Sequence, residues 1–198
     1  MKNLMKAHVR VYRALKALPG GDQTQIGIVK NIFQMDPWRR WHIIDWALGL
    51  ILNGIFNGSI LTFFRTGKFK FSLPFVASSS FEDRGAPSTL DFIGLNYYSH
   101  LHLKFEMNPK QFFSYHHPKS DTMTDMDYTI YPEGFYRAIK EISTVGKPVF
   151  VTENGIADAR DDRREIWIRR YLYAMSRAIH EGADVRGYFY WSFLDNFE

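Results

Sequence analysis

The sequence predicts an α/β fold, in which parallel strands alternate with helices. Four short apolar runs rich in branched residues are typical of strands, and segments with helical periodicity separate them. Strands joined through helices lie parallel, because each crossover returns the chain to the same end of the sheet. The pattern fits either a doubly wound sheet or part of a (β/α) barrel. A length of 198 residues allows one ordinary domain or a piece of a larger one.

The first half of the chain begins with a helix that Pro19 and two glycines end. Asp36 followed by Pro37 is typical of a helix start, since aspartate caps the first turn and proline fits its first position. Trp38 and Trp41 are three residues apart on the helix that follows, so we expect both in the core. The predicted elements are, in order, a helix over 2–18, a buried strand over 26–33, helices over 38–52 and 57–65, and a loop over 66–90.

The second half contains three of the four predicted strands. Little periodicity is visible in the polar segment 100–127, so we expect a surface loop there. Pro132 and Glu133 begin a helix, and Gly182 ends the last one. The predicted elements are, in order, a strand over 90–98, the loop over 100–127, a helix over 132–143, a strand over 148–152, a helix around 168–179, and a strand over 185–191.

Composition excludes several classes of protein. The absence of cysteine excludes a disulfide-stapled scaffold, cysteine-ligated metal sites and a thiol nucleophile. A net charge of +4 is weak evidence for nucleic acid binding, and the arginine pairs at 163–164 and 169–170 fit a solvated helix face. The most apolar stretch, 46–52, is much shorter than a membrane span of about 20 residues, and the N-terminus lacks signal-peptide features. We therefore expect a cytoplasmic protein with no nucleic acid or membrane partner.

Polar or aromatic side chains follow three of the four predicted strands, where the chemistry of parallel α/β folds gathers. These strand ends carry Asn96 and Tyr98, then Glu153, then Trp191. A carboxylate directly after an apolar strand is held rigidly and partly desolvated, as a catalytic group needs to be. The alternative is a solvated glutamate before an Asn-Gly turn. The spacing leaves both interpretations open.

Other catalytic motifs are absent from the sequence. It contains no Gly-x-Ser-x-Gly elbow, no phosphate-binding glycine loop and no dinucleotide fingerprint. His100 and His102 would share one face of a strand, and His116 and His117 are adjacent, but no carboxylate lies at ligand spacing. We expect no metal site and no cofactor. The 17% aromatic content suits sugar rings, nucleobases or a large core, and Trp191 is the best candidate for a stacking platform.

Several segments resemble family 1 glycoside hydrolases, the β-glucosidase-like enzymes. Residues 147–155 (KPVFVTENG) are similar to that family's nucleophile segment. Residues 90–99 and 187–198 resemble its sixth and eighth barrel strands, while 3–8 and 27–31 resemble the helix after its fourth strand and its fifth strand. The segments occur in family order along the whole chain. The resemblance implies that residues 1–198 are a single partial catalytic domain, a partial (β/α)8 TIM barrel of about strands five to eight with their helices.

The resemblance also implies a role for each matched residue. Glu153 would be the nucleophile that attacks the anomeric carbon, and Tyr98 would hold its carboxylate. Asn96 would line the cleft, Trp191 would stack under the sugar, and Glu198 would accept hydrogen bonds from two sugar hydroxyls. A carboxylate at 198 would repel phosphate, so the implied substrate is an unphosphorylated β-glucoside, β-galactoside or similar β-glycoside.

One part of the family pattern is missing. The acid/base glutamate belongs to a Thr-Phe-Asn-Glu-Pro-like segment after the fourth strand, and the 198 residues contain no such segment. We therefore expect the chain alone to be inactive and marginally stable, with a complementary N-terminal half-barrel chain or a second copy as its partner. Three hypotheses follow: part of a retaining β-glycosidase, a non-catalytic glycan- or protein-binding relative, or an inactive remnant.

Overall fold

The computed structural model describes residues 1–73, 77–108, 110–119, 122–192 and 194. The helices are α1 (Lys2–Lys16), α2 (Ile43–Asn53), α3 (Ser59–Thr66), α4 (Pro132–Ser143) and α5 (Arg164–His180). The strands are β1 (Gly27–Asn31), β2 (Gln34–Pro37), β3 (Lys68–Leu73), β4 (Ala77–Glu82), β5 (Phe92–Asn96), β6 (His100–Phe105), β7 (Phe113–His116), β8 (Val149–Asn154) and β9 (Val185–Tyr190).

The main sheet confirms the predicted α/β arrangement. It contains four strands in the order β1-β5-β8-β9, and each neighbouring pair is parallel. Helices α2 and α3 lie on the connection from β1 to β5, α4 on that from β5 to β8, and α5 on that from β8 to β9. All four strands therefore end at the same edge of the sheet.

One face of this sheet is buried under helices and the other is open. Ile93, Leu95, Val149 and Val151 are fully buried in one apolar cluster with side chains of α4 and α5. Residues that alternate with them lie on the opposite face, as the two-residue period of a strand requires. There they line a largely apolar cleft of about 640 Å³, which includes Phe92, Phe150, Thr152 and Phe189.

The first strand of the sheet is buried on one face only, whereas a buried strand is predicted. Lys30 is buried and Ile28 packs against the apolar cluster, but Val29 is 50% exposed. Val29 lies on the open face of the sheet, beside Gly94 and Thr152. A branched apolar run is typical of a strand with both faces covered, and here one face is open.

The predicted helix start at Asp36 is wrong. Residues Gln34–Pro37 form β2, which pairs in parallel with β6, and the Trp38 amide extends this pairing to the Leu103 carbonyl. Helix α2 begins only at Ile43, where the His42 side chain accepts a hydrogen bond from the Asp45 amide. Trp38 therefore lies outside a helix, and Trp41 is exposed rather than in the core.

Two predicted loops contain hairpins. Within 66–90, β3 and β4 pair antiparallel, and within 100–127, β6 and β7 do the same. In β3, Phe69 is buried and Phe71 half-buried, whereas Lys68 and Lys70 are exposed. This alternation is typical of a half-buried strand. Because the strand is short and polar residues surround it, it was not predicted from the sequence.

The expectation that no segment is long enough to cross a membrane needs correction. Helices α2 and α3 are continuous through a π-helical turn, Gly54–Gly58, so that Ile43–Thr66 form one helix of 24 residues. By length and composition alone this helix could cross a bilayer, and 39% of its most apolar window is buried inside the protein. Asn57 and the two glycines of the turn hid it from a search for an uninterrupted apolar run.

The second sheet carries a buried histidine. The His100 side chain is 3% exposed, and its Nδ1 atom has no hydrogen-bond partner in the part of the chain that the structure describes. Burial, reinforced by the neighbouring His102, lowers the pKa of His100 to about 4. Protonation would therefore place a charge in a site that excludes water. The other charged or titratable groups that face it are Asp36, Arg137, His117 and Tyr131.

This histidine makes stability depend on pH. Between its usual value of 6.5 and about 4, the unfolded chain binds a proton that the folded chain does not. Stability therefore falls as pH falls through this window, by about 3 kcal/mol in total. We expect urea unfolding curves at a series of pH values to show this loss, and His100→Gln to remove most of it. His180→Gln, at an exposed position, should keep the loss, and equal slopes for both variants would contradict the prediction.

Candidate active site

A bulge in β8 sets the geometry at the carboxyl edge of the main sheet. Leu95 pairs with Val151, but the next residue of β5, Asn96, pairs with Glu153. The ladder to β9 shifts in the same stretch, because β8 has one residue more than β9 between the pairs Val151–Tyr188 and Asn154–Tyr190. Such bulges redirect side chains and are frequent beside active sites. Here the bulge contains Thr152 and Glu153.

Glu153 lies directly against Tyr98. The Tyr98 hydroxyl donates a hydrogen bond of 2.8 Å to Glu153 Oε2, although the two residues are 55 positions apart in sequence. Both side chains are half-buried. A hydrogen bond to a carboxylate is charge-assisted and fixes its orientation. The alternative of a freely solvated glutamate does not describe this geometry.

Asn154, the next residue, joins the ends of three strands. Its side chain is fully buried, and its Nδ2 atom donates to the Tyr97 carbonyl of the residue after β5 at 2.6 Å. Its Oδ1 atom accepts a 3.1 Å hydrogen bond from the Tyr188 hydroxyl of β9. Burial raises the pKa of Tyr188, so its hydroxyl remains a donor. The backbone that carries Glu153 is therefore fixed on both sides.

The remaining described candidates lie beside this pair. Thr152 Oγ1 donates to Asn96 Oδ1 at 2.6 Å, which orients the Asn96 amide. Trp191 is partly exposed at the end of β9, and its amide donates to the Asn154 carbonyl at 3.0 Å. Tyr98 and Trp191 both line a cleft of about 800 Å³. The cleft combines aromatic faces with polar groups, as sugar binding requires.

Four predicted site residues thus meet at one edge of the sheet: Asn96, Tyr98, Glu153 and Trp191. The fifth, Glu198, lies outside the described residues. Within the described ranges, no group of three or more histidine, aspartate or glutamate side chains could hold a metal ion.

Comparison with known proteins decides the family. The sequence profile of glycosyl hydrolase family 1 matches residues 1–198. The chain belongs to glycosyl hydrolase family 1.

Solved family 1 structures share the fold. A β-glycosidase from Pyrococcus horikoshii superposes with a TM-score of 0.81 at 36% identity, over 99% of this chain and 44% of that protein. A family 1 β-glucosidase from Thermotoga maritima gives a TM-score of 0.80 at 26% identity, over 99% of this chain and 47% of that protein. In sequence, a β-galactosidase from Pyrococcus woesei is 43% identical over 76 residues, which are 38% of this chain and 15% of that protein. The chain spans less than half the length of these relatives.

Two groups of basic residues in this family 1 chain make specific contacts, and the second group differs from its predicted place. Lys30, at the end of β1, is buried on the helix side of the sheet, where its Nζ atom lies 3.9 Å from the centre of the Phe56 ring. Burial lowers the pKa of Lys30 to about 8. Arg163 and Arg164 are not on a solvated face, since Arg163 pairs with Asp158 at 2.7 Å and Arg164 Nη1 donates to the Tyr190 hydroxyl at 2.7 Å. They hold the loop that follows β8.

Sequence reasoning missed the supporting role of Asn154 and Gly155. The dipeptide is typical of a hairpin turn, but no strand-like run follows it in the sequence, and the chain continues into a loop and α5. A side chain at Gly155 would collide with the Trp191 carbonyl. The lack of a second strand-like run argues against the turn, but it does not indicate what the two residues contact.

Proposed function

We propose that this chain provides the nucleophile-bearing part of a retaining β-glycosidase. The proposed substrates are unphosphorylated β-glucosides, β-galactosides or similar β-glycosides. The observation that carries the proposal is the 2.8 Å hydrogen bond from Tyr98 to Glu153 at the carboxyl edge of a parallel sheet. Membership of family 1 and the names of the matched β-glycosidases support the same class of reaction.

In the proposed reaction, a Glu153 carboxylate oxygen attacks the anomeric carbon while the bond to the leaving oxygen breaks. A separate acid gives its proton to that oxygen, and the sugar remains as an ester on Glu153. Water then attacks the same carbon, loses a proton to the second carboxylate, and releases Glu153. Retaining enzymes place the two carboxyl groups about 5–5.5 Å apart.

The other residues bind the sugar. The Trp191 ring would stack on an apolar face of the sugar, and the Asn96 amide, oriented by Thr152, would bond to a hydroxyl. Tyr98 would keep the attacking carboxylate in line as positive charge develops on the sugar. Glu198, outside the described residues, would accept hydrogen bonds from two sugar hydroxyls.

The proposal places the proton donor outside these 198 residues. The sequence has no Asn-Glu-Pro segment, and the chain spans less than half of its family 1 relatives. Strands β1, β5, β8 and β9 would be strands five to eight of the (β/α)8 barrel. A complementary N-terminal half-barrel would cover the open face of the sheet and supply the acid, with self-association as the alternative. The chain alone would be inactive.

Covalent labelling tests the nucleophile directly. We expect 2,4-dinitrophenyl 2-deoxy-2-fluoro-β-glucoside to form a stable ester on Glu153 in a chimera with the part of the Pyrococcus horikoshii relative that this chain does not match. Fluorine slows release of the sugar, and dinitrophenolate leaves without protonation. Mass spectrometry of peptides should place one fluoroglucosyl group on Glu153.

The matched control is Glu133→Gln, an exposed glutamate at the start of α4, which should label as the parent does. An adduct on any other residue would contradict the assignment. A non-catalytic relative would give a folded chimera with no adduct.

A further inference from the structure

Another exposed surface lies on α2 and the β6–β7 hairpin. We call it the α2–hairpin patch and define it by six apolar residues that are each 47–95% exposed: Trp41, Ile43, Trp46, Leu50, Met107 and Phe112. On α2, positions 43, 46 and 50 lie on one face because they are three and four residues apart. The patch is apolar where a solvated helix would be polar.

The opposite side of α2 holds the patch in place. Asp45 is fully buried and accepts hydrogen bonds from Arg39 Nη2 at 2.7 Å and from the Phe105 amide of β6 at 3.0 Å. Arg39 Nη2 also donates to the Phe105 carbonyl at 3.3 Å. These contacts join the first turn of α2 to the hairpin, so the apolar residues of both elements remain exposed together.

The patch carries an excess of positive charge. Residues 38–53 and 104–112, which contain the patch, have four lysine and arginine residues against two acidic ones, an excess of two in a chain of net charge +4. Both acids are paired, Asp45 with Arg39 and Glu106 with Lys104. Two basic residues form no ion pair with any residue that the structure describes: Arg40 and Lys110.

We infer that the α2–hairpin patch binds the surface of a membrane that contains anionic lipids. Exposed tryptophan and aliphatic side chains can enter the bilayer interface, and the unpaired basic side chains on the adjoining segments attract anionic lipids. A second copy of the chain would bring the same excess of positive charge against this face, which disfavours self-association there. This replaces the expectation from the sequence that no membrane is contacted.

The rest of the same helix favours surface binding over spanning. Phe63 and Phe64 of α3 are fully buried in the apolar cluster. For Ile43–Thr66 to cross a bilayer, these side chains would have to leave the core. The first half of the helix can enter the interface while the second half stays packed.

Vesicle flotation tests this binding, because it separates bound protein from aggregates that sediment. We expect the chain to float with vesicles of phosphatidylcholine and phosphatidylglycerol, and at least tenfold less with phosphatidylcholine alone or in high salt. The double variant Ile43→Glu/Leu50→Glu should float at least tenfold less. Ile166→Glu/Tyr173→Glu, which changes two comparably exposed side chains on one face of α5, should float as the parent does.

A second patch variant, which changes only charge, tests the inference even if Ile43→Glu/Leu50→Glu misfolds. Arg40→Glu/Lys110→Glu changes only exposed side chains and should lower binding to the anionic vesicles without changing the circular dichroism spectrum. Equal flotation of patch and control variants would overturn the inference. So would a parent that never floats but forms a dimer that Ile43→Glu/Leu50→Glu abolishes, since a second copy would then occupy the patch.

Discussion

The 198-residue chain alone is expected to release no measurable 4-nitrophenol from 4-nitrophenyl β-glucoside or β-galactoside. The departing oxygen would receive no proton, and general acid catalysis contributes about 10²–10⁴-fold to such reactions. The open face of the sheet would also leave the sugar without the binding groups of the complementary half-barrel. The chimera with the Pyrococcus horikoshii relative should restore turnover of both substrates.

Comparing two leaving groups distinguishes a folded chain that lacks the acid from a misfolded chain. Because dinitrophenolate leaves without protonation, a folded chain with Glu153 in position should react faster with a 2,4-dinitrophenyl than with a 4-nitrophenyl β-glycoside. Steady hydrolysis of 4-nitrophenyl substrates by the chain alone, at the rate of the chimera, would contradict the proposed external acid.

Glu153→Gln is expected to reduce hydrolysis by the chimera on the order of a thousandfold or more, because an amide cannot form the sugar ester. The measurement is kcat/KM for 4-nitrophenyl β-glucoside. An amide can still accept the Tyr98 hydrogen bond, so substrate binding should change much less than kcat. In Glu153→Ala, which leaves the space of the carboxylate empty, azide as a small external nucleophile should partly restore turnover with dinitrophenyl substrates.

Tyr98→Phe is the matched control, because it affects the orientation of the Glu153 carboxylate and not its presence. It removes the 2.8 Å hydrogen bond but leaves the carboxylate, so kcat should fall only about 10- to 100-fold, the equivalent of one hydrogen bond to a charged group. If Glu153→Gln loses no more activity than Tyr98→Phe, Glu153 is not the nucleophile.

The strands and helices with strong periodicity were predictable from the sequence, and the short strands were not. The main-sheet strands β5, β8 and β9 and the helices α4 and α5 were each found within a few residues. Strand β2 was mistaken for a helix start, because Asp36-Pro37 is a local capping signal and its pairing with β6 is a tertiary contact. Such non-local pairing can override local preference in strands.

The candidate site was predictable only in part. The motif resemblance and the positions of the strand ends both predicted that one site contains Glu153, Tyr98, Asn96 and Trp191. The contribution of Asn154 could not be predicted, because its partners, the Tyr97 carbonyl and the Tyr188 hydroxyl, are supplied by neighbouring strands. The bulge in β8 is likewise a property of two ladders, and a single strand sequence does not reveal it.

The hydrogen bonds around Glu153 have a practical consequence for protein engineering. Tyr98, Asn154 and Tyr188 all belong to this chain, so the Glu153 carboxylate is oriented by residues of this chain alone. If the acid is supplied in trans, the colour of a chromogenic glycoside becomes a readout of association. The two parts, fused to bait and prey proteins, would then form a two-component enzymatic reporter.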